Sequence, residues 1–201
     1  AWTDLKGKNH KASNSSVILD GLNSFRVIYI DSQRTGDAGS EVGVTLQNMI
    51  IQHGLSLSTD SAPAAGSGGG IYVSEKSALT FVYMGSKFDY TALRNNEAEY
   101  GGGVYNAGVF NFKAFIGGMN ISTGELYENK ASYGGGVYNA GTMNYIGASE
   151  LSYNKAYEHG GGIYNNGILS VVGSSPIAQA NISSNIASGN GGGIYSNNGD
   201  V

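Results

Sequence analysis

The chain has 201 residues, of which 33 are glycine, two are proline and none is cysteine. Hydrophobic residues make up 40% and charged residues only 13%, with a net charge of −4, so a core is affordable in apolar material and a disordered chain is excluded. The missing cysteine removes disulfides, thiol catalysis and cysteine-ligated zinc or iron–sulfur sites, and 11 basic against 15 acidic residues give nucleic acid no electrostatic footing.

In chain order, Val17-Ile18-Leu19-Asp20-Gly21, then residues 25–30 and 44–51, are rich in β-branched and aromatic side chains and are expected as strands. Residues 51–54, Ile-Gln-His-Gly, fall where later units place an asparagine, with His53 expected to substitute for it. Residues 55–67, rich in Ser, Ala and Gly and holding Pro63, are expected as a longer exposed turn.

From residue 68 a repeat takes over. Three glycines, a β-branched residue and a tyrosine recur five times, at 68–72, 101–105, 134–138, 160–164 and 191–195, spaced by 33, 33, 26 and 31 residues. A variable period marks units that accept insertions at their turns, as solenoid coils do. Four of the motifs lead into an alternating segment: Leu79-Thr80-Phe81, Phe110-Asn111-Phe112, Met143-Asn144-Tyr145 and Leu169-Ser170-Val171. Large residues flanking a polar one are the period-two pattern of a half-buried strand. A third column reads aliphatic-x-x-Asn-x-Ala: Leu93, Asn96, Ala98; Leu126, Asn129, Ala131; Leu151, Asn154, Ala156; Ile182, Asn185, Ala187. Each unit is therefore expected as three short strands joined by turns, and no stretch has a sustained helical period.

These features predict an all-β parallel β-helix, a β-solenoid of about six coils, in a single domain over 1–201. Residues 1–67 form its degenerate N-terminal coils and 68–201 its triple-glycine repeats. Coils then stack at about 4.8 Å, placing like residues over like. Stacked like charges repel, which explains the scarcity of charge. Asn96, Asn129, Asn154 and Asn185 are expected to form an inward amide ladder. The glycines supply backbone angles or close approaches that other residues resist.

The motif Gly-Gly-Gly-[Ile/Val]-Tyr-Asn with the preceding Leu/Ile-x-x-Asn-x-Ala resembles the repeats of the polymorphic outer membrane proteins, usually Gly-Gly-Ala-Ile with Phe-x-x-Asn. Gly70, Gly103, Gly136, Gly162 and Gly193 stand where that alanine is usual, and Leu93, Leu126, Leu151 and Ile182 where its phenylalanine is usual. The opening Leu19-Asp20-Gly21 and Val44-Thr45-Leu46-Gln47-Asn48 are similar to the start of such regions, so the resemblance covers roughly 17–199. It implies a right-handed parallel β-helix in a secreted, cell-surface or outer membrane-associated bacterial protein. Chlamydial members are autotransporter passengers that act as adhesins, and the glycine and leucine departures point to looser, non-chlamydial relatives.

Parallel β-helices also house polysaccharide lyases and hydrolases, which need carboxylate clusters or paired carboxylates. The strand after each triple glycine carries no charge in its repeated motif. Glu97, Glu99, Glu128, Lys130, Lys155 and Glu158 sit beside the asparagine column and are expected at a solvated turn edge. Glu125 and Glu150 align in adjacent units, where a Ca²⁺ or acid/base pair competes with simple stacking. His10, His53 and His159 are too scattered for a zinc site, and no cofactor is expected. Asn14, Asn120 and Asn181 head glycosylation-type triplets that are expected to be coincidental. The outward positions Thr80, Asn111, Asn144 and Ser170 are too mixed for a regular ice-binding array.

The candidate binding residues are Tyr72, Tyr105, Tyr138, Tyr164 and Tyr195. With Ile71, Val104, Val137, Ile163 and Ile194 inward, these tyrosines face outward beside a bare glycine strip. They then either dock a sugar or protein surface or simply stack on one another; the opposite parity stays open. The expected function is non-enzymatic: an extracellular adhesion or structural segment that meets a host or neighbouring cell through a glycan or protein receptor, without entering the membrane. The alternative is a polysaccharide-binding or polysaccharide-cleaving β-helix. Because the chain begins at Ala1 and stops at Val201 just after a motif, it is also expected to be part of a longer protein or to associate end to end.

Overall fold

The computed structural model describes residues 2–3, 9–10, 17–32, 41–61, 64–83, 91–114, 124–173, 179–197 and 200–201. Apart from a short antiparallel pair, Trp2–Thr3 with Asn9–His10, every named strand pairs in parallel with its counterpart one coil away. The result is a parallel β-helix of about six coils, with four parallel sheets running along its axis.

Sheet I consists of Val17–Asp20, Met49–Gln52, Ala92–Arg94, Gly124–Tyr127, Ser149–Ser152 and Asn181–Ser183. Sheet II holds Leu55–Ser56, Glu97–Tyr100, Lys130–Tyr133, Lys155–His159 and Ile186–Ala187. Sheet III holds Ile28–Ile30, Ile71–Val73, Val104–Asn106, Val137–Asn139, Ile163–Asn165 and Ile194–Ser196. Sheet IV holds Val42–Gln47, Ser77–Tyr83, Val109–Ala114, Thr142–Gly147 and Ile168–Val172.

A full coil thus has four strands where three were expected. The difference lies in the Leu-x-x-Asn-x-Ala segment, which bends at its asparagine into separate strands of sheets I and II. The residue before the bend adopts a left-handed conformation in five successive coils: His53, Asn95, Glu128, Tyr153 and Ser184 have φ between 51° and 55°. Counting from the aliphatic residue, Gly54 rather than His53 stands in the asparagine column. Ile51 pairs with Leu93, so Gly54 is the counterpart of Asn96, and its N–H donates to Asn96 Oδ1 at 2.8 Å. His53 occupies the left-handed position instead. Residues 55–67, expected as a turn, open with the Leu55–Ser56 strand.

The core is built of columns. Sheet I contributes Ile51, Leu93, Leu126 and Leu151, all fully buried, and sheet III contributes Ile71, Val104, Val137 and Ile163. Sheet IV contributes two alternate rows, including Leu79, Phe110 and Met143, then Phe81, Phe112 and Tyr145. Tyr145 reconciles its hydroxyl with burial because the Ser149 and Asn181 carbonyl oxygens both lie 2.8 Å away, either of which accepts its single proton. Burial raises its phenol above the ordinary value.

Candidate functional site

Two of the coil corners are held by asparagines. At the first, Asn96, Asn129 and Asn154 are buried, and with Asn185 they form the expected ladder. Successive Nδ2-to-Oδ1 bonds measure 2.9, 3.0 and 2.9 Å. Each Nδ2 also donates to a carbonyl of the preceding coil, as Asn129 does to Leu93 at 2.9 Å. A second ladder, not anticipated from the sequence, closes the corner between sheets III and IV. Asn106 donates to Asn139 and Asn139 to Asn165, both at 2.7 Å. Its signal was the sixth residue of Gly-Gly-Gly-[Ile/Val]-Tyr-Asn. The ladder ends where coil two places Val73 in the column, and the buried Asn106 Oδ1 is left without a partner.

The triple glycine fills the corner between sheets II and III, and each glycine has its own reason. The first has φ of 62° to 69° in all five copies, a left-handed turn. The second passes against backbone of the following coil: a Cβ on Gly102 would collide with the Lys130 carbonyl oxygen. The third points its missing side chain inward. A Cβ on Gly103 would meet the Gly136 oxygen at 2.6 Å and Asn129 Cγ at 3.3 Å. The strip beside the tyrosines is therefore not a bare outer shelf, because the third glycine is the seat on which the asparagine ladder packs.

The tyrosines do face outward, behind the buried Ile71, Val104, Val137 and Ile163. Tyr72, Tyr105, Tyr138, Tyr164 and Tyr195 form one column, which Tyr29 extends to a sixth ring. Centroid spacings from Tyr29 to Tyr195 are 5.0, 5.3, 5.2, 4.9 and 5.2 Å. The first four steps are parallel within 9°, and the last is tilted by 44°. Ring faces are thus spent on neighbouring rings, and the column offers solvent its edges and hydroxyls. Tyr72, Tyr105, Tyr138 and Tyr164 each have a ring on both sides.

A second aromatic column stands immediately before the triple glycines. Tyr100 stacks on Tyr133 at 5.6 Å, and His159 lies 6.1 Å from Tyr133 and 4.7 Å from Tyr195. Edge contacts tie the columns together, Tyr100 to Tyr138 at 5.4 Å and Tyr133 to Tyr164 at 5.6 Å. The corresponding position in coil two is Ser67, which bridges to Tyr100. Here the Arg26 guanidinium fills the gap, 5.3 Å from both the Tyr29 and Tyr72 rings. Its Nε donates to the Ser67 and Gly68 carbonyls at 3.0 and 3.1 Å. Burial lowers the Arg26 pKa from its ordinary value. Burial, followed by the neighbouring tyrosines, lifts the Tyr138 phenol to about 12. Tyr72 and Tyr105 are raised chiefly by burial as well.

On sheet IV, Thr80, Asn111, Asn144 and Ser170 form the middle outward row, as expected. Asn144 donates to Asn111 Oδ1 at 2.9 Å. The row beside it runs Ala78, Val109, Thr142, Ile168, with Val109 37% and Ile168 55% exposed. Glu125 and Glu150 stand in register on adjacent strands, and so do Lys130 and Lys155.

Charge otherwise gathers at the left-handed corner. A polar recess of about 290 Å³ is lined there by Asn23, His53, Asn95, Glu97, Glu128 and Lys130. Beside it, Asp20 accepts from Gln52 Nε2 at 2.8 Å and from the Leu22 N–H at 2.9 Å, with His53 Nδ1 at 3.1 Å. These contacts, led by Gln52, hold the Asp20 carboxyl down at about 2. Among the described residues no group of three or more His, Asp or Glu side chains could hold a metal ion. Asn14 and Asn120 lie outside the described residues, whereas Asn181 opens the last strand of sheet I.

No protein-family model, curated protein or solved structure matches the chain.

Proposed function

We propose that the chain is a non-catalytic adhesion or scaffold segment of an extracellular or cell-surface protein, working through the repetitive, largely uncharged faces of its solenoid. The observation that carries this reading is the outer face of sheet IV. Its rows of small polar and apolar side chains repeat once per coil, a pattern suited to an extended, uncharged partner such as a glycan or a protein surface. The resemblance of the repeats to the polymorphic outer membrane proteins supports the surface setting, including an autotransporter-like passenger. The tyrosine hydroxyls and edges add a second polar stripe.

A glycan array and a whole-cell binding assay test the reading, paired with a lyase and hydrolase screen on the same polysaccharides. Binding by the parent that is lost in Asn111→Lys/Asn144→Lys with the fold intact is the expected result. Turnover of any polysaccharide overturns the non-catalytic assignment.

A further inference from the structure

The aromatic face connects far more rings than any one coil needs for packing. Six tyrosines, one per coil, follow each other at 4.9 to 5.3 Å, over a path of about 24 Å at the strand spacing. Tyr100, Tyr133 and His159 make a parallel run that rejoins the first at Tyr195. Every step lies inside the range of direct aromatic contact. Phenol is also one of the few side chains that gives up an electron to a strong oxidant. In this column, each oxidised ring has a chemically identical donor one coil away. The rings are held between fixed neighbours, so little geometry changes as charge moves. Most are half-buried and reach solvent, which lets the phenol proton leave.

We propose that the tyrosine face is a one-electron relay, accepting an oxidising equivalent at one coil and carrying it along the solenoid axis to another. A strong outer-sphere one-electron oxidant takes one electron from a ring, and that phenol releases its proton to water. The products are a neutral tyrosyl radical and the reduced oxidant. The next tyrosine gives the radical one electron and gives solvent one proton, while the first oxygen takes a proton back. The net change is a radical moved by one coil. A reductant such as ascorbate empties the relay by supplying one electron, with one proton from water. The relay does not depend on what the faces of sheet IV bind.

The chain has no cysteine, so Phe25→Cys, at a residue 73% exposed, creates a single attachment point. A ruthenium polypyridyl photo-oxidant is attached there, and Tyr195 is replaced by 3-aminotyrosine, a more easily oxidised trap. Flash-quench at high dilution, with the rate independent of protein concentration, then reads transfer within one molecule. Oxidation of the trap in this protein is expected. In Tyr100→Phe/Tyr105→Phe/Tyr133→Phe/Tyr138→Phe, which keeps the rings and removes the oxidisable hydroxyls, its rate falls at least about tenfold, or about 1.4 kcal/mol of barrier. An unoxidised trap in the parent, or an unchanged rate in the folded quadruple variant, overturns the relay. If the quadruple variant does not fold, Tyr72→Phe carries the test, because coil two has Ser67 where later coils place the second ring. Its expected result is slower transfer, and an unchanged rate again overturns the proposal.

Discussion

The Asn129 side chain makes four hydrogen bonds: two accepted from Asn96, and one donated each to Leu93 and to Asn154. Truncation to alanine strands the Asn96 amide and the Leu93 carbonyl in a site closed to water. Asn129→Ala is therefore expected to cost about 3 kcal/mol, since each buried orphan costs about 1–3 kcal/mol. Urea unfolding followed by circular dichroism measures it, and a loss below half that value means that water replaces the amide. Asp20 is a different kind of residue, charged and solvated. Its carboxyl titrates at about 2 in the fold, against about 3.9 in an unfolded chain. The folded value is the lower one, so its contribution is complete above about pH 4 and is lost as pH falls toward 2. Asp20→Asn is expected to flatten the stability profile across that window. An unchanged acid limb in the variant would show that the Gln52 and Leu22 contacts do not survive in solution.

At the scale of the element, the columns act as units. Tyr138 lies between two parallel rings and against a third, and its phenol stays protonated to about pH 12. An unfolded tyrosine ionises near 10, so the fold binds this proton more tightly. Its contribution is complete below about pH 10 and is lost as pH rises toward 12. Tyr138→Phe keeps the stack and is expected to shift the alkaline unfolding midpoint upward, read by circular dichroism during base titration. A midpoint that stays or falls would assign the alkaline limb to other tyrosines.

Columns were also what could be read from the sequence. The tyrosine column, the first asparagine ladder and the outward Thr80, Asn111, Asn144, Ser170 row all follow from aligned repeats, whereas the repeats left the parity of the tyrosines open. The split between sheets I and II did not. Its hinge residues are His53, Asn95, Glu128, Tyr153 and Ser184, which share no chemistry and include no glycine, so no turn signature marks them. The inward set of the third glycine was equally hidden, because a residue without a side chain has no periodicity to show.

For the whole molecule, the length of a coil is set by its connections and the architecture by its strands. Ala114 pairs with Gly147, and Gly124 with Ser149. Nine residues therefore separate two positions in one coil whose counterparts in the next coil are separated by Ala148 alone. Replacing 115–123 by one alanine is expected to preserve register and cooperative unfolding, with stability changed by about 1 kcal/mol or less on loop-length grounds. Denaturant unfolding and tryptic mapping test it, and loss of the cooperative transition would show that the longer connection supplies part of the core. The same reasoning accounts for the spacings of 33, 33, 26 and 31 residues between motifs. Scarce charge belongs to this scale too. It is not absolute, since Lys130 faces Lys155 and Glu125 faces Glu150, both near coil corners where solvent screens them.

The left-handed hinge carries one more consequence. Its backbone angle is constant while its side chain is histidine, asparagine, glutamate, tyrosine or serine, so conformation and identity are uncoupled there. A row of such positions, one per turn of the coil at about 4.8 Å, works like movable type on a ruler. The letters can be reset without disturbing the spacing, and selection is free to write new surface chemistry along that edge while the scaffold beneath stays as it is.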